Sequence, residues 1–192
     1  GSELVLVSPV KVVQTLFTVI FDPDFLKTVW YSAARILGGF FTALTFGTVL
    51  GWVASRFWVV ETLLRPITAV IKATPVASFI ILVLLWFSGK NLSVIISMLM
   101  VFPVIYMNVL EGIRSADEKL LEMAQVFRLS VGKKLLYIYL PAVAPFFVSA
   151  CSVSLGLCWK SGIAAEVIGT PDGSIGAVFY QAKIFLQTSE LL

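Results

Sequence analysis

Long apolar runs separated by short charged clusters dominate this chain. Ile36–Ser55, Asn91–Leu110 and Leu135–Trp159 contain no charged residue. A helix needs about 20 predominantly apolar residues to cross the hydrocarbon core of a bilayer, and each run reaches that length. A fourth run, Ala73–Phe87, is shorter and gains length from Pro66–Ile71 if Lys72 snorkels. The pattern predicts an all-α, polytopic membrane helical bundle of about four complete spans, organised as a single transmembrane domain over residues 1–192. Residues 1–27 predict an interfacial or extramembrane lead-in, broken by Pro9 and by Asp22-Pro23-Asp24. The first span is expected over 28–55. A short connection follows over 56–65, with Pro66 in the first turn of the next helix. Pro75 should kink or split that helix, Ser88–Asn91 should form a tight loop, and Pro103 is a second kink candidate. The last clear span, 135–159, carries Pro141 and Pro145 in its first half. From 160 to 192 the chain is mixed. Gly169, Pro171, Asp172 and Gly173 read as a loop, and the stretch after it as an amphipathic tail.

Composition sharpens the membrane reading. The chain is 59% hydrophobic and only 13% charged, against about 45–50% and roughly 25% in soluble domains. That excess exceeds what a buried core absorbs, so lipid is expected to cover much of the surface. The net charge of +3 comes without a basic cluster interleaved with aromatics, which gives no case for nucleic acid. Its distribution reports topology instead. Arg56, Arg65, Lys72, Arg114, Lys119, Arg128, Lys133 and Lys134 fall on one side of the membrane, and Lys11, Lys27, Lys90 and Lys183 on the other. The more basic side is expected to be cytoplasmic, with 111–134 inside the cell and both chain ends outside. No histidine is present, so neither a histidine metal site nor a Ser/His/Asp or Cys/His catalytic set can be built. Cys151 and Cys158 lie on one predicted helix, roughly 10 Å apart at about 1.5 Å per residue, beyond disulfide reach.

Two small-residue features mark helix contacts. Gly47-x-x-x-Gly51, with Gly39 two turns earlier, predicts a helix face that a neighbour approaches closely. The polar middle, 111–134, is different. Ser115-Ala-Asp-Glu118 reads as a capping box with its hydroxyl at the N-cap. On the helix it starts, Leu120, Met123, Ala124 and Phe127 recur at three and four residues, while Glu118, Glu122 and Gln125 take another face. Ser130 can cap a second short helix that enters the next span. Such a unit either lies on the membrane surface or docks into a groove on a partner.

These residues resemble the cytoplasmic loop of bacterial binding-protein-dependent ABC importer permeases, whose pattern opens on Glu-Ala-Ala and closes on Leu-Pro. Here Glu122-Met-Ala124 is followed, at the family spacing, by Tyr139-Leu140-Pro141. The position the pattern gives to Gly holds Arg128, and Gly132 follows four residues later. Either Gly132 supplies the bend or Arg128 makes a contact of its own. Outside the loop, "SAARILGGF" at 32–40, "LLRPITAVIKATPVASFIILVLLWFSG" at 63–89 and "FPVIYMNVLEGIRSADEKLLEMA" at 102–124 are similar to the second, third and fourth spans of the nitrate/sulfonate/taurine class. On that resemblance the chain covers spans two to five of a six-span permease and lacks the first and last.

The resemblance implies a permease subunit in the bacterial inner membrane that forms the translocation pathway for a small anion. It implies a second permease subunit, most simply a second copy, a dimer of cytoplasmic ABC ATPases docked on the loop, and an extracytoplasmic substrate-binding protein. The ATPase-coupling residues would be Glu122, Met123, Ala124, Phe127, Arg128, Gly132, Leu140 and Pro141. No cofactor is implied, and the chain has no G-x-x-x-x-G-K-[ST] loop of its own. Arg35, Lys160 and Glu166 are candidates for the substrate pathway, since charges within spans are functional by default. Interfacial snorkelling is the plainer reading of the same residues. A membrane scaffold with no transport role is the alternative reading of the whole chain, and an intramembrane enzyme lacks a plausible catalytic pair.

Overall fold

A computed structural model of the chain describes residues 22–184. The expected break at Pro9 and the end of the tail lie outside the described residues. Between them the chain is helical, with α1 over Pro23–Arg56, α2 over Trp58–Ala73, α3 over Val76–Trp86 and α4 over Gly89–Arg114. Then come α5 over Glu118–Val126, α6 over Val131–Gly169 and α7 over Ile175–Ile184. Among the described residues α1, α4 and α6 are long and apolar enough to cross a membrane. The bent pair α2 and α3 makes a fourth span if counted as one. Lipid-facing chemistry is written on these helices, where Trp30, Phe41, Phe46, Leu85 and Val153 are all exposed.

Several boundaries differ from those the sequence predicts. The first helix begins before residue 28. Asp22 accepts a hydrogen bond from the Asp24 amide at 3.1 Å, and Pro23, whose missing N–H would have no intrahelical partner there, opens one helix of 34 residues. Pro66 does not begin a helix but sits inside α2. The reason is the apolar register. Glu61, Thr68 and Ile71 are buried at helical spacing, so one face is continuous through the proline. The connection between α1 and α2 shrinks to Phe57. Gly89, Lys90 and Asn91 belong to α4, which leaves Phe87 and Ser88 as the turn. Pro103 lies within the unbroken α4. Pro75 does split its helix. Thr74 is extended at φ −87° and ψ 134°, as the residue before a proline prefers, and α2 and α3 meet at 108°.

The last span is longer than expected. α6 runs 39 residues and contains a π-turn at Leu135–Tyr139, where the Leu140 amide donates to Leu135 five residues back. Pro141 lacks the amide that would reach Tyr137 and its ring crowds that carbonyl. A wide turn directly before it relieves the clash.

The described residues gather into two compact units. One combines the chain up to Gly39 with Val76–Ser97 and the chain from Trp159; the other combines Phe40–Pro75 with Met98–Cys158. In the second unit, Gly47 and Gly51 let α1 close on α4. A Cβ on Gly47 would stand 3.0 Å from the Ile105 Cβ, and one on Gly51 3.0 Å from the Val109 Cβ. Gly39 is buried as well. Beside this seam Ala54, Tyr106 and Leu110 form a core that Leu50, Val60, Leu64 and Phe102 complete.

In the first unit, Glu166 on α6 has no exposed surface. Its Oε2 accepts from the Ser32 hydroxyl at 2.7 Å and from the Gly176 amide at 3.4 Å, while Ser32 accepts from the Ile175 amide at 2.9 Å. Ser174 caps α7 by accepting from the Ala177 amide at 3.0 Å. A carboxylate set against the first turn of a helix is favoured by the unpaired amides there. The loop after α6 is thereby folded back onto α1 and α6. Gly169 ends α6, and the loop itself is Thr170–Ser174.

Candidate functional site

The polar middle folds as the sequence suggests in outline and differs in how it is fastened. The N-cap of α5 is Asp117, not Ser115: its side chain accepts from the Lys119 amide at 2.8 Å. Ser115 instead donates to the Gly112 carbonyl at 2.8 Å, because α4 runs on to Arg114 and leaves no room for a cap before residue 117. Ser130 is the N-cap residue of the next helix by its extended backbone, without a side-chain cap bond.

The apolar residues of α5 divide between two faces. Ala124 is fully buried, and with Ala116 and Ile138 it forms a small core closed by Leu121, Leu129, Tyr139 and Ala142. Leu120, Met123, Val126 and Phe127 stay outside, with Val126 79% and Phe127 72% exposed. The expected stripe Leu120, Met123, Ala124 and Phe127 is therefore not one face. Ala124 points inward, and the outward apolar surface of the loop is made by Leu120, Met123, Val126 and Phe127. Glu122 is exposed beside them, and Val131 adds a further apolar side chain at 79% exposure. Leu140 and Pro141 are exposed on α6.

The bend between the two short helices is made by Arg128. It stands at φ 51°, in the left-handed region that costs a residue with a Cβ roughly 1–2 kcal/mol. Its amide donates to Gln125 at 3.0 Å, and the Leu129 amide donates to Ala124 at 2.9 Å. This pair of bonds is a Schellman ending, and the Leu129 side chain packs into the Ala124 core, as such endings favour. Gly132 has not taken over the turn. It lies inside the next helix with nothing within 4 Å of where its Cβ would be. Arg128→Gly should therefore raise stability by about 0.5–1 kcal/mol, and Gly132→Ala should do so by a similar amount. Thermal denaturation of purified protein in detergent checks both. A fall in midpoint for Gly132→Ala would show that Gly132 carries the bend after all.

Two contacts anchor the loop. Gly112, near the end of α4, approaches α6 so closely that its Cβ would lie 2.9 Å from the Val143 Cα. Arg114, the last residue of α4, donates to Glu61 at 2.5 Å, and Arg65 lies 3.6 Å from the same carboxylate. Glu61 is buried. Sequence reading missed it: the Arg65 spacing was visible, but the stronger partner stands 53 residues away.

The three pathway candidates are not brought together as one group. Lys160 is exposed, whereas Glu166 is buried in the turn described above. Arg35 is part-buried, its Nη1 donating to the Tyr31 hydroxyl at 2.8 Å and its Nε to the Ser93 hydroxyl at 3.3 Å. Arg35 Nη2 and Glu166 Oε1 are buried without a hydrogen-bond partner. Among the described residues no group of three or more His, Cys, Asp or Glu side chains could hold a metal ion.

Long apolar helices joined by a fastened, apolar-tipped loop are the architecture of a multi-pass membrane protein. Residues 43–192 match the family described as binding-protein-dependent transport system inner membrane component, and the chain belongs to that family of multi-pass inner-membrane permeases. It is similar to the putative aliphatic sulfonates transport permease protein SsuC of Bacillus subtilis, 29% identical over 99% of this chain and 69% of the relative. The taurine transport system permease protein TauC of Escherichia coli is 27% identical over 100% of this chain and 71% of its own length. The bicarbonate transport system permease protein CmpB of Synechococcus elongatus is 26% identical over 78% of this chain and 53% of its own length.

Proposed function

We propose that this chain forms the translocation pathway of an ATP-driven importer for a small anion of the sulfonate, taurine or bicarbonate kind. Its loop at 111–134 faces the cytoplasm and couples the pathway to a pair of ABC ATPases. A binding protein delivers substrate on the opposite side, and a second permease subunit, most simply another copy, completes the pathway. Family membership supports the delivery step, and the substrates in the relatives' names, each anionic or carrying a sulfonate, support the substrate class.

The observation that carries the coupling reading is the exposure of Val126 and Phe127 on a loop whose inner face is buried and whose ends are tied down. An apolar pair held rigidly in water is costly unless something covers it, and a short helix seated in a groove is a recurring way to do so. Glu122 beside it can meet a basic rim. Phe127→Asp should abolish capture of the ATPase and lower uptake at least tenfold, the scale of an interface anchor. Membrane levels should stay unchanged, since the side chain is outside the loop core. Glu122→Lys should weaken the same contact by a smaller factor. The check is co-purification of the ATPase together with ATP-dependent uptake in proteoliposomes. Normal uptake by Phe127→Asp would overturn the docking assignment. A wild-type assembly that neither binds an ATPase nor transports would favour the scaffold reading.

A further inference from the structure

We infer that Arg35, with Tyr31 and Ser93, is a subsite for the anionic group of the transported solute. The inference rests on the importer reading above and adds a place for the charge. Arg35 lies within the apolar span α1. Among the described residues the ion pairs are those of Glu61 with Arg65 and Arg114, and Arg35 forms none. Glu166, an acid of the same unit, is committed through Oε2 to Ser32 and the first turn of α7. A guanidinium in a span without a direct ion pair is expensive, and such groups mark ion and substrate routes.

The surroundings are built for an acceptor. Arg35 is held in place by two hydroxyls and lies with its Cζ 5.0 Å from the centre of the Tyr31 ring. Both hydroxyl oxygens accept from Arg35, so each keeps its own proton to donate elsewhere. Arg35 Nη2 is the third donor, buried and without a partner. Three donors and one positive charge, with no acceptor for them among the described residues, match a sulfonate, carboxylate or bicarbonate oxygen cluster. A water molecule can serve the two hydroxyls but cannot offset the charge. Arg35 as a residue remains partly exposed, while its Nη2 and Ser93 are buried.

The test uses the whole importer, permease with its ATPase and binding protein, in proteoliposomes, with taurine, ethanesulfonate and bicarbonate as the probes. Arg35→Gln should raise KM for the transported probe on the order of 10- to 100-fold, the loss expected for hydrogen bonds to a charged group. Binding-protein-stimulated ATP hydrolysis should be retained. Arg35→Lys, which keeps the charge but not the planar fork, should fall between wild type and Arg35→Gln. Tyr31→Phe and Ser93→Ala each remove one donor without touching the charge, and should raise KM about three- to tenfold. They keep the inference testable if Arg35→Gln fails to assemble. Unchanged KM in Tyr31→Phe, Ser93→Ala and any assembled Arg35 variant would overturn the subsite while leaving the importer reading intact. A wild-type importer that takes up none of the three anions would overturn the substrate class and the subsite together.

Discussion

Glu61→Arg is expected to destabilise the protein by roughly 2–3 kcal/mol. Removing one member of a buried pair costs about 3–5 kcal/mol because the other charge is stranded; the lower figure allows for Arg114, whose side chain is 49% exposed and partly screened by solvent. The reversal would also set three guanidinium groups together, at positions 61, 65 and 114. Exchanging the pair, Glu61→Arg with Arg114→Glu, should recover at least half of the loss. Unfolding midpoints in detergent for the two single variants and the exchanged pair measure the coupling directly. Equal, additive losses with no recovery would show that Glu61 is held by packing rather than by Arg114. The consequence for the loop follows from position. Arg114 is the last residue of α4, three residues before the Asp117 cap, so the ion pair fixes where α5 starts against α2.

Gly176→Ala is expected to disrupt the turn after α6, at a cost of about 3 kcal/mol. A Cβ at 176 would collide with the Glu166 carbonyl carbon and Cβ. The conflict is with backbone, which cannot rotate out of the way, and overpacking alone costs typically 1–3 kcal/mol. Moving α7 away would also strip the Gly176 amide from Glu166 and the Ile175 amide from Ser32, bonds to a charged group or its direct partner. Proteolysis and thiol labelling of a cysteine placed in the loop, at the buried Pro171, report the opening. Gly176→Ala should sharply increase both, and Ser32→Ala, which removes the donor to Glu166 and the acceptor of the Ile175 amide but introduces no backbone clash, should increase them less. No change in Gly176→Ala would mean that α7 is not locked through Glu166.

Much of the architecture was legible in the sequence because lipid reads composition directly. Charge-free runs of span length need no partner to be recognised, and the helices containing Ile36–Ser55, Asn91–Leu110 and Leu135–Trp159 are all present. The break at Pro75 was equally legible, since a missing amide and a restricted preceding residue are local facts. Boundaries were less so. Pro66 looked like a start but was carried through by the buried positions on either side, and residues 23–27 looked like a lead-in but extend α1. In both places tertiary packing outweighed the local signal.

The candidate site shows the same division. The spacing from Glu122 to Pro141 located the loop, and Gly47 and Gly51 marked a close helix contact that the fold contains. Periodicity could not tell the loop's inner face from its outer one, because Ala124 and Phe127 are both apolar and adjacent on the helix. Arg128 was visible as a departure from the expected Gly; that it takes the glycine's left-handed conformation itself was not.

What the sequence determined alone is the solvent. Its apolar runs, and the charged clusters between them, dictate a helical membrane protein with one amphipathic loop, because each of those facts depends on neighbours in the chain. What only the tertiary structure decided is which polar groups are matched. Glu61 found Arg114, Glu166 found Ser32 and the first turn of α7, and Arg35 found two hydroxyls and, among the described residues, no ion-pair partner. Those outcomes join residues 53, 134 and 58 positions apart. At such separations pairing is set by how helices pack, and inside a low-dielectric span a matched charge and an unmatched one differ by several kcal/mol.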